Sequence, residues 1–262
     1  MNLKVHVQLD LLILVLNNMR RFAINDLYSL VENVPEEYYS DLTHLYTPEG
    51  TRLLTNAVVK SICETLDIQY NEFTLGGYTF LECASLEEVK FQENTKIEKI
   101  NGSIFEDTKV TKFIVDSNNI NYSNSEDGAF LLSKNGKKII FAAPASCTEE
   151  LVIDSKYDEI GDGAFTGTKV KKLTISNPNI IVGAYAFANC EELVTLVLPE
   201  DSGMEIKEHA FNYTSSLTNV INLDKVKKVG DYAFANSSID NVVIGSDSVY
   251  GEGAFFRSTL TN

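Results

Sequence analysis

Four cysteines and three histidines are the most reactive side chains in this 262-residue sequence. Thiolates and imidazoles hold zinc when they occur as closely spaced pairs. Cys63 and Cys147 have no partner at such a spacing, and His6, His44 and His209 lie in unrelated contexts. The spacing therefore predicts neither a metal site nor a disulfide framework, and we expect no cofactor.

The sequence also lacks the spacings that mark common catalytic sites. The nucleophile elbow G-x-S-x-G, the zinc-protease spacing H-E-x-x-H and the phosphate-binding loop are all absent. A stretch that begins at Asp116 has some features of a calcium-binding loop. However, Asn121 stands where that loop needs glycine and Asp127 where it needs glutamate. We therefore predict a protein that is not an enzyme.

The net charge is strongly negative, −15, from 37 Asp and Glu residues against 22 Lys and Arg residues. Phosphate groups are bound by Lys and Arg, so this balance argues against a nucleic-acid partner and against adsorption to an anionic membrane. Neighbouring pairs of acidic residues are expected on solvated rims. These pairs are Glu36-Glu37, Glu87-Glu88, Glu149-Glu150 and Glu191-Glu192.

The apolar run near the start of the sequence, Leu11–Leu16, is far shorter than the roughly 20 residues that span a bilayer. Asp10 interrupts the apolar stretch, and no small-residue cleavage site follows, so a secretory signal is not expected. These features leave the location unknown but favour the cytoplasm or the inside of an assembly over the cell surface.

One repeated pattern, centred on phenylalanine, accounts for most of the sequence. Successive copies are 21 to 25 residues apart, except for one interval of 60, and such a period is typical of a solenoid. An apolar residue stands five positions before the phenylalanine, and another stands five or six positions after it. The aligned phenylalanines are Phe80, Phe105, Phe165, Phe187, Phe211, Phe234 and Phe255.

Small residues surround the phenylalanine at fixed positions. Alanine precedes it in five of the seven copies. Glycine stands four positions before it in five copies, where we expect a sharp turn with positive φ. Three positions after it, Cys83 and Cys190 replace the threonine or serine of the other copies. A free thiol is also a small, weak hydrogen-bond donor, so we predict that these two cysteines are structural.

Each copy continues into a short segment with alternating apolar residues, as in Leu86–Phe91 and Leu193–Leu198. A strand with one buried face requires this alternation. The pattern resembles the BspA-like leucine-rich repeat family, whose unit is isoleucine, glycine, two residues, alanine, phenylalanine, cysteine or threonine, and a leucine-led strand. The stretch Ile160–Ile175 follows it, and the resemblance covers residues 70–262.

The 60-residue interval is similar to the inserted hairpin variant of this family. We place the hairpin insertion near residues 117–145, where Asn135-Gly136 is an independent turn signal. Pattern and resemblance together predict an α/β fold leaning to mainly β. It is a leucine-rich-repeat solenoid of short stacked strands with a helical N-terminal cap.

The region before the solenoid, residues 1–69, is predicted to be a mostly helical capping region. Residues 1–19 fit either a strand or a helix, with the strand favoured, whereas residues 20–68 show helical periodicity. A solenoid exposes its terminal apolar repeat unless something covers it. The region is therefore either a cap alone or a small domain with its own binding or oligomerisation role.

The last copy stops after Phe255, where its strand is expected to begin. Either the chain is a piece of a longer array, or another molecule completes the final repeat, or the repeat is left open. An unpaired edge invites strand addition. Self-association through the N-terminal segment or through this open repeat is therefore a further expectation.

The strands leave one surface that the repeat does not bury. Residues between the buried positions project from the sheet, and stacking of the copies aligns them into a ladder, which we name the face ladder and predict to bind protein. Its residues are Lys90, Ile114, Thr174, Val197, Ile221 and Val243. Alternatively, β-branched residues are found there because strands favour them and because they pack on one another.

The resemblance implies a non-enzymatic protein-binding module, since the family is associated with cell-surface adhesion and contact with host proteins. We therefore expect a protein partner, with no nucleic acid and no membrane insertion. Two other functions stay open from the sequence. One is a structural subunit of a larger assembly, such as a phage or virus particle, and the other is an effector that is secreted without a cleavable signal.

Overall fold

Short strands make up almost all of the described chain. The structure is a computed structural model that describes residues 65–68, 73–75, 80, 83, 85–93, 97–100, 104–201 and 203–260. Within these ranges the only helical segments are 3-10 turns at Pro144–Ser146 and Leu223–Lys225. The predicted helical cap lies outside the described residues, apart from residues 65–68, and so does the predicted strand or helix over residues 1–19.

The strands in the described ranges are, in chain order, β1 (Thr65–Ile68), β2 (Phe73–Leu75), β3 (Glu88–Phe91), β4 (Ile97–Ile100), β5 (Lys112–Val115), β6 (Tyr122–Asn124), β7 (Phe130–Ser133), β8 (Lys138–Ala142), β9 (Glu150–Ile153), β10 (Glu159–Ile160), β11 (Lys172–Ile175), β12 (Ile181–Val182), β13 (Thr195–Val197), β14 (Glu205–Ile206), β15 (Asn219–Ile221), β16 (Lys228–Val229) and β17 (Val249–Tyr250). Most of them are two to four residues long, so no strand is stable without its neighbours in the stack.

Most repeats contribute two strands, one on each side of the phenylalanine. The strands after the phenylalanine form two parallel sheets, β1-β3-β5 and β9-β11-β13-β15. The strands before it form the pair β2-β4 and the parallel part of a longer sheet, in the order β8-β10-β12-β14-β16-β17. The fold is thus a mainly β solenoid, in which each strand pairs with its equivalent in the next repeat.

The pairing is in register from repeat to repeat. Leu173 lies opposite Leu196, which in turn lies opposite Val220. On the other side, Ile160, Val182, Ile206 and Val229 follow one another in the same way, and all four are buried. Residues at equivalent positions of successive repeats therefore form columns in space, and the sequence alignment of the copies is also a map of the surface.

From Phe165 to Phe255 the aligned phenylalanines form a continuous column of rings. Ring centroids are 4.7 Å apart between Phe165 and Phe187, 5.2 Å between Phe187 and Phe211, and 5.1 Å between Phe211 and Phe234. Interplanar angles in these pairs are 13° or less, so the rings stack. A stacked pair contributes about 0.5–1.5 kcal/mol beyond the area that it buries. The column therefore couples each repeat to the next.

The insertion contains an antiparallel meander, β6-β7-β8, within the long sheet. The turn between β7 and β8 includes Gly136, whose φ is +70°. Two rings of the meander continue the aromatic core edge-on. Phe141 lies 5.3 Å from Phe105, and Phe130 lies 5.6 Å from Phe165, with interplanar angles of 88° and 73°. The hairpin thus occupies the place of a regular repeat, and one of its rings packs against the phenylalanine on each side.

The glycines four positions before the phenylalanine do not have positive φ, so that expectation is wrong for the four described copies. They are required because neighbouring repeats approach closely. A Cβ added to Gly183 would lie 2.7 Å from the backbone nitrogen of Asp162, and one added to Gly230 would lie 2.6 Å from that of Glu208. Left-handed backbone occurs instead two positions before and two positions after the phenylalanine, as at Gly163 and Gly167.

The ladder of parallel strands already includes β1, which lies before the predicted start of the solenoid at residue 70. Residues 65–68 were expected to be helical, but they pair in parallel with β3, with Leu66 opposite Val89 and Ile68 opposite Phe91. The sequence T-L-D-I alternates as a strand does. A helix cannot satisfy the backbone groups of β3 as an in-register strand can. The rest of the predicted division between cap and solenoid stays a prediction.

Candidate protein-binding face

The strands that follow the phenylalanine have one face in the core and one outside it. In β11, Leu173 and Ile175 are buried, whereas Thr174 between them is half-buried on the outer side. β13 repeats this arrangement, with Leu196 inside and Val197 outside. The alternation of the sequence is thus converted directly into an inner and an outer surface.

The face ladder has the predicted register wherever its strands form. Thr174, Val197 and Ile221 lie opposite one another in β11, β13 and β15, and Lys90 lies opposite Ile114 in β3 and β5. Ile221 keeps 40% of its surface exposed and Ile114 keeps 37%, while the other three are half-buried. Apart from Lys90 and Thr174, these outward side chains are aliphatic, and an exposed aliphatic surface suits contact with another macromolecule.

The hairpin divides the face ladder into two parts. Strand β5 belongs to one sheet and β9 to another, and no described pairing joins them. The backbone nitrogen of Phe113 in β5 donates to the carbonyl oxygen of Gly128 at 2.8 Å, and that of Val115 donates to Asn124 Oδ1 at 3.0 Å. The insertion thus uses the backbone groups of β5 that would otherwise pair with the next repeat.

Val243 is the one face-ladder residue without a strand. Residues 240–245 make no described pairing with β15. Val242 packs against the core, whereas Val243 and Ile244 expose 68% and 58% of their surface. The expected ladder of six is therefore a group of three, Thr174, Val197 and Ile221, a separate pair, Lys90 and Ile114, and an isolated Val243.

Val152 is a face residue that sequence reasoning missed. It lies in β9, opposite Thr174, and 61% of its surface is exposed. The alignment was anchored on phenylalanine, and the copy that holds β9 has none of the aligned phenylalanines, so Val152 had no assigned position. The alternation of outward and buried residues in Glu150–Ile153, where Ile153 is buried, is the feature of the sequence that indicates the outward position of Val152.

Charged pairs between repeats border the apolar face. Lys112 Nζ lies 2.7 Å from Glu88 Oε1, Lys171 Nζ lies 2.9 Å from Glu149 Oε1, and Lys172 Nζ lies 3.3 Å from Glu150 Oε1. The hydrogen bond and the charge of Glu149 raise the pKa of Lys171. The solvated acidic rims that the sequence predicts are thus paired, at three of their glutamates, with lysines of the adjacent repeat.

The described cysteines lie in the core rather than in a reactive cluster. Cys83, Cys147 and Cys190 are all buried. Cys190 Sγ donates to the carbonyl oxygen of Phe165 at 3.2 Å and lies 3.4 Å from Thr168 Oγ1. This geometry confirms that Cys190 occupies the threonine column as a small donor. Burial raises the pKa of the Cys190 thiol to about 12, so it stays protonated.

The described ranges contain no group of three or more His, Cys, Asp or Glu residues that could hold a metal ion. None of their helices is long and apolar enough to cross a membrane. Asp127 ends the stretch that has some features of a calcium-binding loop, and its Oδ1 accepts hydrogen bonds from Ser125 Oγ at 2.6 Å and from the backbone nitrogen of Ala129 at 3.0 Å. The carboxylate therefore shapes the turn before β7.

Parallel stacked strands, a phenylalanine column and an exposed outer sheet define a leucine-rich-repeat protein. A family model described as "BspA type leucine rich repeat region (6 copies)" matches residues 37–135 and 137–261. The match covers most of the sequence, so the chain belongs to the BspA-type leucine-rich repeat family. No curated protein matches it.

The solved structures that resemble the chain include several bacterial proteins. A leucine-rich repeat protein from Eubacterium ventriosum is 19% identical, with a TM-score of 0.42, over 75% of this chain and 66% of that one. Pneumococcal vaccine antigen PcpA is 16% identical, with a TM-score of 0.43, over 77% and 61%. A leucine rich cell surface protein from Faecalibacterium prausnitzii is 15% identical, with a TM-score of 0.40, over 76% and 63%. The chain thus spans less than two thirds of the length of each of the three.

Proposed function

We propose that the protein is a non-enzymatic protein-binding module and that its partner contacts the face ladder together with Val152. The observation that carries the proposal is the continuous run Val152, Thr174, Val197 and Ile221, which four paired strands hold in register. Val152 and Ile221 expose 61% and 40% of their surfaces. A contiguous apolar patch with a polar border is a common feature of protein interfaces.

Membership of the family supports a protein as the partner. Leucine-rich repeats use their extended surfaces mainly for protein interaction, and BspA-like proteins are associated with adhesion and with contact to host proteins. We extend that association to this chain and propose a protein of the cell surface or of a host as its partner. The net charge of −15 supports a protein partner over nucleic acid, because phosphate groups would be repelled.

Two substitutions in the centre of the face test the proposal. In the double variant V197E/I221E, the partner would meet two buried carboxylates, so we expect binding to be abolished while the strands remain paired. A partner captured with the wild-type chain is titrated against each variant by biolayer interferometry, and circular dichroism checks the fold. The proposal would be wrong if the folded double variant bound that partner with wild-type affinity.

The matched control uses the other sheet. Ile181 in β12 and Val249 in β17 are also exposed aliphatic residues, at 36% and 63%, but they lie on the strands that precede the phenylalanine. I181E/V249E adds the same two charges away from the face ladder. It should therefore leave binding unchanged if the partner contacts the face ladder, and weaken it equally if only the overall charge matters.

A further inference from the structure

A second column of stacked rings lies outside the core, on the turns that lead to the phenylalanine, and in it Tyr185 is exposed while His209 and Tyr232 are half-buried. Tyr185, His209 and Tyr232 each stand two positions before a core phenylalanine, and their rings stack on one another. Centroids are 4.7 Å and 5.4 Å apart, with interplanar angles of 10° and 7°. We name these three residues the aromatic stack.

The backbone beneath the aromatic stack is of a kind that bulky side chains avoid. Tyr185, His209 and Tyr232 have φ values of 56°, 56° and 54°, in the left-handed region. The same position is occupied by glycine in the flanking repeats, as Gly163 and Gly253. A tyrosine there is strained relative to glycine, and such outliers are concentrated at functional positions. The repeat fold itself therefore does not require these rings.

One end of the aromatic stack is open. His209 covers one face of Tyr185, while the repeat on the other side has Gly163 at the equivalent position and offers no ring to cover the second face. Tyr185 keeps 47% of its surface exposed. At the opposite end, the edge of Phe256 closes the stack at 5.9 Å from Tyr232, with an interplanar angle of 82°. A flat group can therefore stack on Tyr185 but not on Tyr232.

Exposed carboxylates occupy the position just before the rings in four of five successive repeats, and Ala184 occupies it in the repeat of Tyr185. We name this set the acidic column: Asp162, Glu208, Asp231 and Glu252. The backbone nitrogen of Tyr185 donates to the carbonyl oxygen of Glu208 at 3.2 Å, and that of His209 donates to Asp231 at 2.9 Å, which fixes the two columns side by side. Asp162 Oδ1 accepts from the backbone nitrogen of Ala184, the residue before Tyr185, at 2.9 Å. The same oxygen lies 3.9 Å from Lys207 Nζ, so a bound guanidinium group competes with this lysine.

We propose that the aromatic stack and the acidic column form a second interaction surface, one that binds an arginine-rich segment of a protein partner. A guanidinium group is flat and cationic, so it can stack on the open face of Tyr185 while it pairs with Asp162. Further arginines meet Glu208, Asp231 and Glu252. The excess of acidic residues over the whole chain attracts the same partner over longer distances.

The surface is tested with the double variant Y185G/Y232G. Glycine is the residue that neighbouring repeats already hold at this position, so the substitution removes two rings while it relieves the backbone. The control is Tyr213→Gly, because Tyr213 is also exposed, at 53%, and left-handed, with φ 58°, but it lies after the phenylalanine and outside the stack. Circular dichroism verifies the fold of both variants.

The probe is a fluorescein-labelled oligo-arginine peptide, measured by fluorescence anisotropy at about 150 mM salt. We expect the wild-type chain to bind it more tightly than oligo-lysine of equal length, because only guanidinium stacks well on a ring. Y185G/Y232G should bind roughly tenfold more weakly, and Tyr213→Gly should bind like wild type.

The proposal would be overturned if Y185G/Y232G bound oligo-arginine with the affinity of the wild type, because that would indicate diffuse attraction to an acidic protein. It would also be overturned if the wild-type chain did not bind oligo-arginine. The face-ladder variant V197E/I221E should bind oligo-arginine within about twofold of wild type, since salt-screened charges at a distance change affinity little. The proposals for the two interaction surfaces can thus be tested independently of each other.

Discussion

At the scale of single residues, the repeat assigns structural roles to side chains that could otherwise do chemistry. The Cys190 thiol donates to the Phe165 carbonyl and contacts Thr168, and in the next repeat Thr214 Oγ1 donates to the carbonyl of Phe211 at 2.8 Å. The threonine donates within its own repeat and the thiol donates to the preceding repeat, whereas the buried hydroxyl of Ser237 in the same column has no hydrogen-bond partner. Burial, rather than a neighbouring acid or base, governs the reactivity of the thiol at this position.

Cys190 should be unreactive in the folded chain. Alkylation requires the thiolate, and burial raises the Cys190 pKa from 9.0 to about 12, so we expect negligible modification by iodoacetamide near neutral pH and rapid modification in urea. Site-resolved mass spectrometry measures both rates. Fast modification of Cys190 in the native protein would contradict the structure.

The same thiol predicts how stability depends on alkaline pH. Because the pKa of the Cys190 thiol is raised in the folded state, the protonated thiol contributes its full stabilisation of the fold below the unfolded pKa of 9.0. This contribution is lost as pH rises towards the folded pKa of about 12. The slope is at most about 1.4 kcal/mol per pH unit for one group. Cys190→Thr should make the decline shallower in urea unfolding, and an unchanged decline would exclude Cys190 as a contributor.

At the scale of elements, the strands are too short to be stable alone, and the phenylalanine column joins them. Phe187 is fully buried between the rings of Phe165 and Phe211, whereas Phe255 is half-buried and stacks on Phe234 from one side. The contribution of a repeat to the free energy of unfolding therefore depends on how many neighbouring repeats it has, as expected for a quasi-one-dimensional array.

Phe187→Ala should destabilise the protein by about 3–5 kcal/mol, because it leaves a ring-sized cavity between two stacked repeats. Phe255→Ala should cost less, about 1–2 kcal/mol, because its ring is already partly exposed and has fewer stacked neighbours. Urea unfolding followed by circular dichroism measures both changes in the free energy of unfolding. Equal losses of unfolding free energy in the two variants would show that the number of stacked neighbours does not determine the contribution of a phenylalanine.

At the scale of the whole molecule, two surfaces with different chemistry lie on the solenoid. The face ladder is mainly aliphatic with a border of paired charges, and the acidic column is exposed and anionic. Since the net charge is −15, self-repulsion opposes association of identical chains. The charge therefore argues against the self-association that the open last repeat suggests, and this expectation can be tested.

We expect size-exclusion chromatography with light scattering to show a monodisperse monomer near physiological salt. A monomer is the state in which the face ladder is accessible to a different protein. A defined oligomer or a filament would instead favour the structural-subunit function, and V197E/I221E would then show whether the face ladder forms the contact between copies.

Much of the fold follows from the sequence, because a repeat turns local periodicity into global structure. The spacing of Phe165, Phe187, Phe211 and Phe234 is enough to predict the period, the buried columns and the outward position of Val197. The candidate face was predictable only in part. Val152 has no phenylalanine to place it, and Val243 has the right sequence but no paired strand.

The sequence by itself thus determined the family, the period, the buried columns and the structural role of Cys190, since each depends on residues within one or two copies. Tertiary structure decided what depends on the distance between copies. Gly183 and Gly230 are required because neighbouring repeats approach closely there, and not because their φ is positive. The face ladder is divided at the hairpin, and Tyr185, His209 and Tyr232 form one stack. Those contacts join residues more than twenty positions apart. The alignment of the copies places them in common columns, but their distances and angles depend on how the copies stack.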